Sequence, residues 1–155
     1  MQEQEAIIAD IEPLVKSAGL ELVEFNLSQH RGSTQARAMV YSPNGTGTDE
    51  CAAAYRLIYP RLQVLLGTED VYLEVSSPGI DRTLKSAREY SIFSGRGIRV
   101  LLLNETEWIR GRIISVSDNK LVLRTVGDKN SDRGDMTIGL DSIVKARLDS
   151  TQEGD

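Results

Sequence analysis

The chain reads as an α+β protein in two parts: an N-terminal α/β layer domain of order α-β-β-α-β, then a small all-β barrel. Three observations predict this. Apolar residues recur at helical spacing in two early segments, with alternating strand-like runs between and after them. Beyond Gly97 the apolar period becomes two and stays two through five short runs. The charge balance changes near Leu84: residues 1–84 carry six Lys/Arg against twelve Asp/Glu, whereas 85–124 carry eight against four. These shifts divide the chain into 1–84, 85–150 and an acidic tail at 151–155.

Ile7, Ile8, Ile11, Leu14, Val15 and Ala18 form the stripe of an amphipathic first helix, with Gly19 as its stop and Pro13 as a source of kinking or shortening. Val23, Phe25 and Leu27 alternate with polar residues as a half-buried strand, and residues 35–41 form its hairpin partner. The breaker-rich stretch 42–47 is a loop. Thr48 is placed to cap a second helix whose face is Cys51, Tyr55, Ile58, Leu62 and Leu65, interrupted at Pro60 and ended by Gly67. Val71, Leu73 and Val75 make a third strand. Residues 76–82 follow, with Pro78 and Gly79 suited to the central positions of a type II turn. Residues 86–93 form a short helix. The five β runs then carry Ile98/Val100/Leu102, Ile109/Gly111/Ile113, Leu121/Leu123, Met136/Ile138 and Val144/Ala146/Leu148.

Composition excludes several classes of function. With 155 residues, 40% hydrophobic and 26% charged, the chain can bury a core, and its net charge of −5 excludes a duplex-coating basic protein. One cysteine, Cys51, leaves no intramolecular disulfide, and no apolar run approaches the length of a membrane span. The single histidine, His30, falls in a loop. Cys51 falls on an apolar helix face with no base near it in sequence. One His and one Cys do not make a usual zinc site, and neither glycine-rich pair has phosphate-loop spacing. The expectation is a soluble cytoplasmic protein that is not an enzyme, with no catalytic residue, metal or cofactor.

The contact chemistry lies on the β half. If Ile109, Gly111 and Ile113 point inward, then Trp108, Arg110 and Arg112 point outward. By the same alternation Arg99, Lys120 and Arg124 join them on one surface. Arginine forks suit phosphates and an indole suits an unpaired base. The plain alternative is the polar outer face of any small barrel. Residues 76–82 have two readings as well: a direct partner contact through Ser76, Ser77, Pro78, Gly79, Asp81 and Arg82, or an Asp81–Arg82 charge pair that braces the chain.

The run from Tyr72 to Arg82, with its Ser-Ser-Pro-Gly-Ile-Asp-Arg core, closely resembles the signature of the ribosome maturation factor RimP family. The resemblance extends over nearly the whole chain. It includes Ala-Gly-Leu-Glu-Leu-Val at 18–23, the loop into Thr-Asp-Glu-Cys at 48–51, and Ile-Arg-Gly-Arg-Ile at 109–113. Thr83 departs from it, standing where the family commonly has proline. The resemblance implies that the C-terminal barrel is SH3-like. It implies a cytoplasmic, monomeric, non-enzymatic factor that binds the free, immature small ribosomal subunit. The partners implied are small-subunit rRNA and the ribosomal protein lining the decoding centre, the latter met chiefly through the barrel, with no membrane. The alternative is a protein–protein adaptor without direct RNA contact.

Overall fold

The computed structural model describes residues 2–125 and 134–149, with Gln2 described by its backbone alone. The acidic tail inferred at 151–155 lies outside the described residues. The chain forms two compact units, Met1–Pro78 and Gly79–Asp155.

In the first unit, α1 (Gln2–Ser17) and α2 (Thr48–Leu66) pack on one face of a three-stranded sheet of β1 (Glu21–His30), β2 (Ser33–Tyr41) and β3 (Val71–Ser76). The strand order is β1-β2-β3, with β1 and β2 an antiparallel hairpin and β3 parallel to β2. A parallel neighbour needs a crossover, and α2 is that crossover. Ile7, Ile11 and Val15 of α1 meet Ala54, Ile58 and Leu62 of α2 above Leu22, Phe25, Ala36, Ala38, Val40 and Leu73 of the sheet. The alanines of β2 give the helices room to approach the central strand.

Neither proline ends its helix: α1 runs through Pro13 and α2 through Pro60. Each removes one N–H from the ladder, and the buried apolar stripe on both sides of it holds the helix together. Of the face read from sequence, Ile58 and Leu62 are buried and Cys51 and Leu65 pack against the core, while Tyr55 departs from it. Ala54 is fully buried, while Tyr55 is exposed and stacks on Tyr59 with ring centroids 5.2 Å apart. The cap of α2 also falls one residue early. Gly47 is the N-cap and donates its N–H to Glu50 Oε1 at 2.8 Å. Gly67 closes the helix at φ 68°, a left-handed conformation that glycine adopts without steric cost. Gln4 ties α1 to the outer strand, donating to the Phe25 carbonyl at 3.2 Å and accepting from the Leu27 N–H at 3.1 Å.

The second unit holds a short helix, α3 (Ala87–Ile92), and an antiparallel sheet. Its strands are β4 (Gly97–Leu102), β5 (Ile109–Ser117), β6 (Lys120–Thr125), β7 (Asp135–Gly139) and β8 (Ile143–Leu148). The five expected strands are present, but the barrel is not. The order is β7-β6-β5-β4-β8, an open sheet with β7 and β8 on opposite edges. The SH3-like barrel expected from the sequence is therefore corrected to an open five-stranded sheet. Closure needs a ladder between the first and last strands. The outer edge of β8 that such a ladder would use is already taken by residues 82–84. Leu84 donates to the Ala146 carbonyl at 2.8 Å, Leu148 donates to the Arg82 carbonyl at 2.9 Å, and Thr83 bridges Arg147. Alternation along a strand reports which face a side chain occupies and is silent on which strands are neighbours.

The unit's core is Phe93, Ile98, Val100, Ile113, Leu121, Leu123, Ile138, Ala146 and Leu148. Of the residues assigned inward, Leu102 and Ile109 are half-buried at its margin, and Val144 and Met136 lie outside it. Val144 is 56% exposed because the β4–β8 register shifts between Leu101 and Leu102, and Met136 lies exposed on an edge strand. A two-residue hairpin at Asp118 and Asn119 (φ 51° and 64°) joins β5 to β6, as the turn residues there require.

Gly111 is the tightest point of this sheet. A Cβ there would stand 2.5 Å from the Arg124 backbone oxygen and 3.0 Å from Leu123 Cγ. Gly111→Ala is expected to destabilise the protein by about 1–3 kcal/mol, through forced separation of β5 and β6. Thermal melting checks this: a lowered midpoint is predicted, and an unchanged one would mean the strands yield freely.

Candidate functional site: an arginine face and a braced turn

Pairing register, not sequence distance, assembles the face. On β4 and β5, Arg99 stands directly opposite Arg110; on the other side of β4, Arg99 stands opposite Arg147 of β8. The next row sets Arg112 of β5 opposite Arg124 of β6. Like charges directly opposite one another destabilise a sheet, so each pairing needs a counter-charge. Asp149, just past β8, supplies one. Its carboxylate is 3.7 Å from Arg99 and 3.6 Å from Arg110, and only 9% of its side chain is exposed. Its backbone N–H donates to the Gly97 carbonyl at 2.8 Å, which anchors the residue beside the start of β4. Asp135 takes Arg124 at 3.1 Å, and Asp81 lies 3.9 Å from Arg147. The Arg99 guanidinium sits 5.6 Å from the centroid of Trp108, within cation–π range.

Arg99, Arg110, Arg112, Arg124 and Trp108 thus come together. Lys120 does not join the rows: it pairs with Ser117 and Gly139 at the far end of β6. Two members of the face were not singled out from sequence. Arg147 follows from the same alternation as Ala146 and Leu148. Asp149 lies just beyond the last alternating run and had no signal. Among the described residues, the face sets five guanidiniums beside three carboxylates.

The residues of the 76–82 segment separate. Ser76 ends β3, and Ser76, Ser77 and Gly79 are exposed. The turn itself runs from Gly79 to Arg82, whose N–H donates to the Gly79 carbonyl at 3.2 Å, so Ile80 and Asp81 occupy its centre. The expected type II turn centred on Pro78 and Gly79 is corrected accordingly. Gly79 is absent from the left-handed region, and a Cβ there would meet only Asp81 Oδ1 at 3.7 Å. Ile80 at the tip is 84% exposed, the most exposed of the large hydrophobic side chains described.

Arg82 points the other way. Its Nε and Nη2 donate to Glu89 Oε1 and Oε2 at 3.0 and 2.9 Å, with 8% and 7% of the two side chains exposed. This bidentate pair fastens the turn to α3, and Tyr90 and Phe93, which bracket the end of the same helix, are buried. The charge pair expected between Asp81 and Arg82 is replaced by two others, Asp81 with Arg147 and Arg82 with Glu89.

The sequence's lone nucleophile candidate is muted. Partial burial, and then the Glu50 carboxylate, push the Cys51 thiol above its usual value, which suppresses the thiolate. His30 is exposed at the end of β1. Among the described residues no three His, Cys, Asp or Glu side chains gather as a metal site would. Among the described residues, no helix is long and apolar enough to cross a membrane.

Guanidinium forks and an indole thus share one pleated face of a two-unit protein. Comparison with known proteins gives its family. The RimP N-terminal domain matches residues 10–81. The ribosome maturation factor RimP of Borrelia turicatae (strain 91E135) is 30% identical over 138 residues, 89% of this chain and 90% of the relative. The RimP of Nitratidesulfovibrio vulgaris (strain DP4) is 37% identical over 134 residues, 81% of this chain and 77% of the relative. The chain belongs to the RimP family.

The buried Arg82–Glu89 pair yields a test. Arg82→Met or Glu89→Leu alone strands one charge and is expected to destabilise the protein by about 3–5 kcal/mol, whereas the double change costs less than either single one. Denaturant unfolding of the three variants checks this. Additive losses would mean that the two side chains do not act as a pair.

Proposed function

We propose that this protein is a non-enzymatic ribosome maturation factor that binds the immature small ribosomal subunit in the cytoplasm, with the arginine face of its second unit against rRNA. Family membership supports the role in ribosome maturation. The observation that carries the contact is the set of three like-charged cross-strand pairings: Arg99 with Arg110, Arg99 with Arg147, and Arg112 with Arg124. A sheet selected for stability alone avoids such neighbours. A phosphate backbone rewards them, because each planar fork matches a phosphate and releases its counterions.

The carboxylates set the strength of this contact. Asp149 holds Arg99 and Arg110 at defined positions before any partner arrives, so less rotamer freedom is lost on binding. Arg99 over Trp108 is likewise restrained. The acidic first unit discourages indiscriminate coating of RNA and favours release, since eleven carboxylates against five cations between Met1 and Pro78 repel a polyanion. A factor that assists assembly and then leaves needs such moderate, orientation-dependent affinity. Contact with a basic ribosomal protein at the decoding centre is compatible with the same charge distribution.

The test is a charge reversal on β5. Arg110→Glu with Arg112→Glu is expected to weaken co-sedimentation with free small subunits by about tenfold or more, and to lower the melting midpoint as well, because a carboxylate at position 110 faces Asp149. The neutral pair Arg110→Gln with Arg112→Gln is expected to fall between. Wild-type affinity in both double variants would remove the arginine face from the binding surface.

A further inference from the structure

Sheet edges are where one chain pairs with another, and two edges of these sheets are covered in part. Gln4 bonds to the outer side of β1 at Phe25 and Leu27, next to a bulge at Leu22–Glu24. Residues 82–84 lie along β8. The edge strand β3 is bare. Thr34 pairs with Val71 and donates to the Asp70 carbonyl at 3.4 Å, which sets the phase of the parallel ladder. Asp70, Tyr72, Glu74 and Ser76 therefore turn their backbone groups to β2, and Leu73 and Val75 turn N–H and C=O away from it. Among the described residues nothing hydrogen-bonds to those outward groups. β3 also lacks the devices that discourage pairing. It holds no proline and no lysine, and its register against β2 is unbroken. Its one charge, Glu74, is matched by Arg37 directly opposite, at 3.5 Å.

We propose that the bare edge of β3 is a strand-addition site for an extended segment of a protein partner in which basic and apolar residues alternate. The alternation follows from the pleat. One row of the added strand lies beside Val71, Leu73 and Val75, on the side of the helices, where Val75 is only partly buried and gains cover from an apolar neighbour. The other row lies beside Tyr72, which is 61% exposed, and Glu74 on the open face. Charge gives that second row its sign. Glu69 and Asp70 lead into β3, both exposed and with no ion pair among the described residues. They belong to a unit with eleven carboxylates against five cations between Met1 and Pro78. The Tyr72 ring also offers its face to a cation.

The site belongs to the first unit and does not rest on the arginine face, so the two are separable by mutation. The probe is a fluorescein-labelled peptide, Lys-Val-Lys-Val-Lys-Val-Lys, titrated with the full chain and followed by anisotropy. Saturable binding is expected. Hydrogen exchange at the Leu73 and Val75 amides should slow by about tenfold or more, while Tyr72 and Glu74, already in the ladder, change little. Methylating the backbone nitrogens of the valines, or those of the lysines, gives two further peptides. Only one of them should bind, since alternate residues of a strand face the ladder. Val75→Pro removes an outward N–H, which an edge strand tolerates, and should weaken binding by about tenfold or more. Glu69→Lys/Asp70→Lys, at exposed positions outside the core, should weaken it as well. Arg110→Gln/Arg112→Gln should change it by less than about twofold. The proposal is overturned if no saturable binding is seen, if Glu-Val-Glu-Val-Glu-Val-Glu binds as tightly, or if both methylated peptides bind. Unchanged exchange at Leu73 and Val75 under saturating peptide overturns it too. So does a chain that sediments as a dimer with those amides already protected, since the occupant is then a second copy.

Discussion

The second unit depends on one buried ion pair. Arg82 and Glu89 satisfy each other bidentately in a place where either charge alone would be costly, and each holds a different part of the structure. Arg82 sits in the extended segment that hydrogen-bonds to β8; Glu89 sits in α3, next to the buried Tyr90 and close to Phe93. With the pair in place, residues 82–84 cover half of the exposed edge of β8, and the sheet ends there. The turn of residues 79–82 is thereby held from beneath, while Asp81 braces it sideways against Arg147. The salt bridge thus ties the signature segment to α3, alongside the backbone bonds that tie it to β8.

The arginine face is a consequence of that sheet's register. Strand pleating puts Arg99, Arg110, Arg112, Arg124 and Arg147 on one surface, and pairing places them opposite one another. Asp149 and Asp135 make the arrangement tolerable without neutralising it. A glycine is needed among them: Gly111 lies between Arg110 and Arg112, and the backbone of Arg124 approaches too closely there for any side chain. The Ile-Arg-Gly-Arg-Ile run is therefore both a packing device and a means of setting two arginines on one face.

Much of this was legible in the sequence. The helical stripe of Ile7, Ile11 and Val15 and the alternation of Ile98 and Val100 follow from local periodicity, which tertiary structure left intact. The outward set on β4 and β5 followed as well, because one correctly assigned inward residue fixes its neighbours. What was not legible depends on partners far apart in sequence. Sheet closure depends on which strand edge is free, and residues 82–84 had already taken that of β8. The burial of Arg82 depends on Glu89 arriving from α3. Asp149 gains its importance only once β8 lies beside β4. The exposure of Tyr55, which stacks on Tyr59, depends on where α2 meets the sheet and α1.

The most direct test of the account is the salt dependence of binding to free small subunits. If guanidiniums of the arginine face meet rRNA phosphates, the logarithm of the association constant falls linearly with the logarithm of salt concentration. About four phosphate contacts give a slope of roughly −3. A slope near zero would contradict the account, because binding without counterion release is binding without phosphates, and the arginine face would then serve a protein partner alone.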